Sequence, residues 1–215
     1  MSYLANVLTL LKKDWPENRT VNIICHGHSV PAGYFDTPVV DTMNAYPHLL
    51  HTQLANRFPH AVINVIVTAI GGETSERGAS RFDEEVLSHR ADVLTIDYGL
   101  NDRSIGLEKA RIAWMSMIEK ALARDIRVVL FTPTGDLTAS LDDSNDALNQ
   151  HADQIRSLAQ HYQVGLADSL AATKAAVQSG CPLSDLMSHV NHPNRRGHDI
   201  VVNELLKLFP GQLDT

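Results

Sequence analysis

The sequence predicts an α/β fold, a three-layer α/β/α sandwich on a mainly parallel sheet of about five strands. Two observations carry this reading. Short β-branched runs alternate with longer stretches of helical period, as a parallel sheet covered by helices on both faces requires. No internal repeat, low-complexity segment or linker interrupts the alternation over 215 residues, so residues 1–215 read as a single domain, long enough to bury a substantial core.

The chain opens with MSYLANVLTLLKKDW, whose lysines follow the apolar stretch and which lacks a small-residue cleavage signal. It reads as an amphipathic helix over residues 3–13 and not as a secretory leader, which makes the expected compartment cytoplasmic. Such a helix covers an edge of the domain or pairs with a second copy in a homo-oligomer. Strands are expected over residues 21–25, 61–67, 93–98, 127–131 and 164–167. Helices are expected between them, over 45–57, 74–88, 107–124 and 146–162, with a weaker one over 171–178 and a closing amphipathic helix over 195–208. In the helix over 107–124, Leu107, Ala110, Trp114, Met117 and Ala121 recur at helical spacing and form the stripe that packs on the sheet. Right-handed crossovers gather the loops that follow the strands at one edge, so a site is expected from residues 26–35, 68–75, 99–105, 132–145 and 180–197.

Composition narrows the partners. A formal charge of -7 disfavours a nucleic-acid backbone. No apolar run reaches the length of about 20 residues needed to cross a bilayer, so membrane insertion is not expected. Cys25 and Cys181 have no metal-ligand spacing, and Cys25 ends a strand where it packs as a small apolar side chain.

Four of the loops hold residues capable of chemistry. Val21 to Gly33 reads VNIICHGHSVPAG, a strand running into Gly27-His28-Ser29 and then a helix-like stretch. That places a hydroxyl at a strand-to-helix turn beside free N–H groups, though Gly-x-Ser is also an ordinary turn. Gly71-Gly72-Glu73-Thr74 lets a backbone N–H approach a ligand oxygen; equally, Thr74 caps a helix and Glu73 favours its dipole. Gly99-Leu100-Asn101-Asp102 offers an amide donor at a strand end, or turn chemistry alone. His189-Val190-Asn191-His192-Pro193-Asn194 presents a histidine before a helix start, as a base or as a surface residue of a polar turn.

Together, in this order and spacing, the four segments resemble the SGNH or GDSL-type serine hydrolases, a family of esterases and lipases, from about residue 21 to residue 208. The resemblance implies that family's flavodoxin-like fold and a small-molecule ester substrate. It implies that Ser29 is the nucleophile and His192 the general base, with Ser29 N–H, Gly72 N–H and the Asn101 amide as oxyanion donors. Water then cleaves the acyl-enzyme, and neither a metal nor an organic cofactor is required.

Two departures stand out. His28 occupies the position where the family has aspartate. His189 stands three residues before His192, where members with a full triad have their acid. His192 is therefore expected to be oriented by a backbone carbonyl or by an acid from elsewhere, with His189, Asp185 and Asp168 the positions to inspect, and the rate is expected to be modest. Two other readings remain open. The cluster of His26, His28, His189, His192 and His198 could hold zinc for a metal-dependent hydrolase, or the fold could serve as a catalytically inactive binding module. Val30, Pro31, Tyr34 and Phe35 together with Thr132, Pro133 and Thr134 are candidate pocket walls. The absence of a long apolar lid favours a short, acetyl-type acyl group on a sugar or another polar alcohol.

Overall fold

Five parallel strands form one sheet in the order β2-β1-β3-β4-β5, the flavodoxin-like arrangement with its switch point between β1 and β3. The structure is a computed structural model and describes residues 3–211; Met1, Ser2 and residues 212–215 of the expected domain lie outside the described residues. The strands are β1 (Thr20–Gly27), β2 (Val62–Val67), β3 (Val93–Asp97), β4 (Arg127–Phe131) and β5 (Gly165–Ala167). Nine α-helices are described: α1 (Ala5–Leu11), α2 (Ser29–Ala32), α3 (Tyr46–Arg57), α4 (Ser75–Ser80), α5 (Phe82–Glu85), α6 (Leu107–Leu122), α7 (Ala147–Tyr162), α8 (Ser169–Gln178) and α9 (Arg195–Leu206).

Alternation along the strands builds two cores. Val21, Ile23 and Cys25 of β1, Val93 of β3 and Val129 and Phe131 of β4 face one layer, with the apolar stripes of α1, α3 and α9. Ile24, Leu94, Ile96, Val128 and Leu130 face the other, with α5, α6 and much of α7. Burial on both faces explains why these strands read as continuous apolar runs. In α6, Ala110, Trp114, Met117 and Ala121 are buried as expected, but Leu107 is exposed at the first turn, before the helix lies against the sheet. The leading helix buries Leu4, Val7, Leu8 and Leu11 in the first core, covering a sheet face.

The helix expected over 74–88 is broken into α4, α5 and a short 3₁₀ turn. The break falls at Arg81, whose guanidinium reaches back to the Glu73 carboxylate. Thr74 makes no capping bond to α4; the first N–H, from Ser75, instead donates to Asp102 Oδ1 at 2.8 Å. No described helix is long and apolar enough to cross a membrane.

Candidate active site

The turn that carries Ser29 is fixed by close packing at the carboxyl end of β1. Gly27 pairs with Asp97 of β3, and a Cβ at Gly27 would collide with the Asp97 carbonyl and the Pro31 ring. His28 N–H donates to the Asp97 carbonyl at 3.2 Å, while His28 Nδ1 accepts from Val30 N–H at 3.1 Å. Because Nδ1 accepts, the proton of neutral His28 sits on Nε2, which faces Asp97 Oδ1 at 3.4 Å. Both side chains are buried. The imidazole that replaces the family's aspartate thus lies beside a carboxylate on the neighbouring strand, without a hydrogen bond between the two side chains.

Ser29 Oγ lies 2.9 Å from His192 Nε2. On the far side of the ring, His192 Nδ1 lies 2.9 Å from the Phe35 carbonyl, with Thr37 Oγ1 further off at 3.4 Å. A carbonyl can only accept, so Nδ1 carries the proton and Nε2 turns its lone pair on the serine hydroxyl. This is the tautomer a general base needs. The Phe35 loop is tied to the nucleophile's own turn, since Tyr34 N–H donates to the Ser29 carbonyl at 3.0 Å and Tyr34 bridges to Val40. The histidine loop is closed by a Met187–Pro193 bridge, and Ser188 donates both its N–H and its hydroxyl to the His192 carbonyl, at 2.9 and 3.2 Å. Burial lowers the His192 pKa below its ordinary value; the Phe35 carbonyl opposes this, and the neighbouring His28 and His189 add to the lowering. At neutral pH the ring is an unprotonated base.

Across the cleft, Gly72 has a φ of 75°, in the left-handed region that favours glycine. Among the described residues, neither Ser29 N–H nor Gly72 N–H has a backbone acceptor. Asn101 Nδ2 donates one hydrogen to the Glu73 carbonyl at 3.0 Å and keeps the other. Ser29, Gly72, Asn101 and His192 share one cleft of about 580 Å³, whose other polar lining includes Tyr34, Thr37, His189 and Asn191. The arrangement offers a hydroxyl with a proton acceptor and, opposite it, unused N–H donors.

Several sequence expectations need correction. Of the alternatives for orienting His192, the backbone carbonyl is the one found, that of Phe35, and neither His189 nor Asp185 takes its place. The His189 ring lies 5.8 Å from that of His192, centroid to centroid, and makes no side-chain bond to it. Asp185 is exposed and faces Arg196 at 3.7 Å, and Asp168 caps α8 and pairs with Arg156. The zinc cluster does not assemble. His26 is bonded to Thr68, Gly78 and Tyr98, His28 is held by Val30 and Asp97, and His198 accepts from Tyr46 N–H. Among the described residues no three His, Cys, Asp or Glu side chains are grouped to hold a metal ion. Thr132, Pro133 and Thr134 are buried and do not line the cleft, because Thr132 turns to Asp168 and Leu170.

Residues 25–200 match the model of the GDSL-like Lipase/Acylhydrolase family. The chain belongs to that family. As a GDSL-type member it is a hydrolase of carboxylic ester bonds. No curated protein matches it by sequence. Among solved structures it is similar to a two-domain esterase (CEX) active on acetylated mannans, with 20% identity, a TM-score of 0.79 and coverage of 96% of this chain and 52% of the other. This GDSL-type chain therefore spans about half the length of that enzyme. It is also similar to Axe2, an acetylxylan esterase from Geobacillus stearothermophilus, with 18% identity, a TM-score of 0.78 and coverage of 89% of this chain and 95% of Axe2. At these identities the likeness is one of fold.

Sequence reasoning anticipated a backbone carbonyl behind His192 but not that it belongs to Phe35, and it missed Ser188. It also missed the Arg81 and Tyr98 groups behind Glu73. Only Ser188, a hydroxyl at the head of the histidine turn, carried a local signal, that of a turn residue able to bond nearby backbone.

Proposed function

We propose that this GDSL-type hydrolase is a serine esterase that removes short, acetyl-type acyl groups from a polar alcohol or carbohydrate. The observation that carries the proposal is the aligned Ser29 Oγ, His192 imidazole and Phe35 carbonyl, with 2.9 Å at each junction, on a cleft shared with Gly72 and Asn101. Ser29 Oγ attacks the acyl carbon as His192 Nε2 takes its proton. The imidazolium keeps its Nδ1–H on the Phe35 carbonyl. Charge on the former carbonyl oxygen is received by Ser29 N–H, Gly72 N–H and the free Asn101 N–H. The tetrahedral intermediate collapses as Nε2 returns the proton to the leaving alcohol, giving the acyl-enzyme. Water, deprotonated by the same nitrogen, then releases the acid.

The substrate class rests on the cleft lining and on the fold relatives. Thr37, Asn191 and His189 offer hydroxyl, amide and imidazole groups to an alcohol rich in hydroxyls. The two fold relatives named above are described as active on acetylated mannan and acetylxylan. Hydrolysis of a chromogenic ester series from acetate to decanoate, by wild type and Ser29→Ala with EDTA present, tests the proposal. Turnover that is highest on acetate, resists EDTA and vanishes in Ser29→Ala is the expected result; turnover that survives in Ser29→Ala, or peaks on the longest chains, contradicts it.

A further inference from the structure

We propose that Arg81, Tyr98 and His26 are positioning residues for the oxyanion-binding wall, acting through the buried carboxylate of Glu73. The inference rests on the esterase reading above and adds to it a second set of residues on which turnover depends.

Glu73 joins the two donors on that wall. It directly follows Gly72, and its own carbonyl holds the Asn101 amide at 3.0 Å. Its side chain turns inward, leaving the residue 5% exposed. There the carboxylate receives Arg81 Nε at 3.0 and 3.1 Å, Arg81 Nη2 at 2.5 Å and the Tyr98 hydroxyl at 3.0 Å.

The direction of the remaining bonds follows from the carboxylate. A carboxylate only accepts, so Tyr98 donates to Glu73 and its oxygen accepts from His26 Nε2–H at 3.1 Å, a hydrogen shared with the Gly78 carbonyl at 3.2 Å. His26 Nδ1 then accepts the Thr68 hydroxyl at 2.9 Å. Burial lowers the His26 pKa to about 4, and burial, followed by the Glu73 charge, raises that of Tyr98. Both groups therefore hold the protonation state the chain of bonds requires at neutral pH.

Thr68 and Glu73 bracket the loop that carries Gly71 and Gly72. One directional series, Thr68 to His26 to Tyr98 to Glu73, runs behind that loop from end to end, and Arg81 closes it. Capping does not explain the arrangement, because Asp102 already accepts the first N–H of α4. Net stability is also a poor explanation, since desolvating an ion pair offsets much of its attraction. What the network does is fix where the Gly72 N–H and the Asn101 amide point, and oxyanion stabilisation depends on that placement.

The test is a double-mutant cycle on chromogenic acetate hydrolysis, with active sites counted by an organophosphonate. Tyr98→Phe deletes one oxygen and leaves the Arg81–Glu73 pair in place; Arg81→Lys keeps the charge and loses the planar fork. Per titrated site, kcat is expected to fall about tenfold in Tyr98→Phe and about a hundredfold in Arg81→Lys, with KM changed by less than about twofold. In an Asn101→Ala background each effect should shrink, because one of the two donors being aimed is gone and only Gly72 N–H remains. Unchanged kcat in Tyr98→Phe, or equal losses with and without Asn101, would overturn the inference while activity still depends on Ser29. Turnover that persists in Ser29→Ala would instead overturn the esterase reading, and this inference with it. If Arg81→Lys does not fold, Tyr98→Phe alone decides.

Discussion

His192 is held from behind by uncharged groups alone, the Phe35 carbonyl and, further off, the Thr37 hydroxyl, on a loop whose residues 36–40 are all exposed. Asn101 and Gly72, across the cleft, are backed instead by a buried carboxylate that three donor groups fix in place. The two walls serve opposite charges. A carbonyl fixes the histidine tautomer but stabilises an imidazolium less than a carboxylate does, whereas the donors proposed for the oxyanion are backed by a hydrogen-bonded network. In the proposed mechanism, a site of this design relies more on its anion-binding wall than on its proton relay.

The largest effects should come from removing the relay itself. Ser29→Ala and His192→Ala should each lower kcat at least about 10⁴-fold on acetate esters, measured in steady state on protein shown by circular dichroism to be folded. Asn101→Ala should cost about a hundredfold to a thousandfold in kcat with little change in KM. A loss below tenfold would mean that this wall contributes little.

Smaller changes sharpen the comparison. His28→Asp would restore the family's residue, yet it buries a second carboxylate against Asp97 Oδ1, now 3.4 Å from the imidazole. Urea unfolding should register a loss of about 3 kcal/mol, most of it recovered when Asp97→Asn is added. His189→Asp should bring a negative charge near His192, raise its pKa and move the acid limb of kcat/KM upward.

In the wild type, burial holds the His192 pKa below the usual 6.5, so the acid limb should have its midpoint below that value. Stability has its own pH dependence. Burial depresses His26 and His151 to about 4 and His198 to about 3, so the native state keeps these rings neutral while the unfolded chain protonates below 6.5. Their contribution is fully present above pH 6.5 and is lost as pH falls toward 4 and then 3. The urea midpoint should therefore drop between pH 7 and pH 5.

Strands were legible from the sequence to within about two residues, because both faces of β1, β3 and β4 are largely buried and each run is mostly apolar. The four segments holding Ser29, Gly72, Asn101 and His192 were legible from residue type and order. The Phe35 carbonyl was not, since every residue carries one and only the tertiary fold selects which reaches Nδ1. The pairing of His28 with Asp97 depends on β1 lying beside β3, a neighbour distant in sequence that no local pattern reveals. The split at Arg81 was hidden because no glycine or proline marks it; there the Arg81 side chain turns back to the Glu73 carboxylate.

The most direct test of the account is peptide mass spectrometry after treatment with an organophosphonate in the presence of EDTA. A Ser29 nucleophile predicts one phosphonyl group on the peptide containing Ser29, formed in step with the loss of acetate hydrolysis, absent in Ser29→Ala and formed far more slowly in His192→Ala. Wild-type protein that hydrolyses acetate esters while Ser29 stays unlabelled, or that carries the label on another residue, would contradict it.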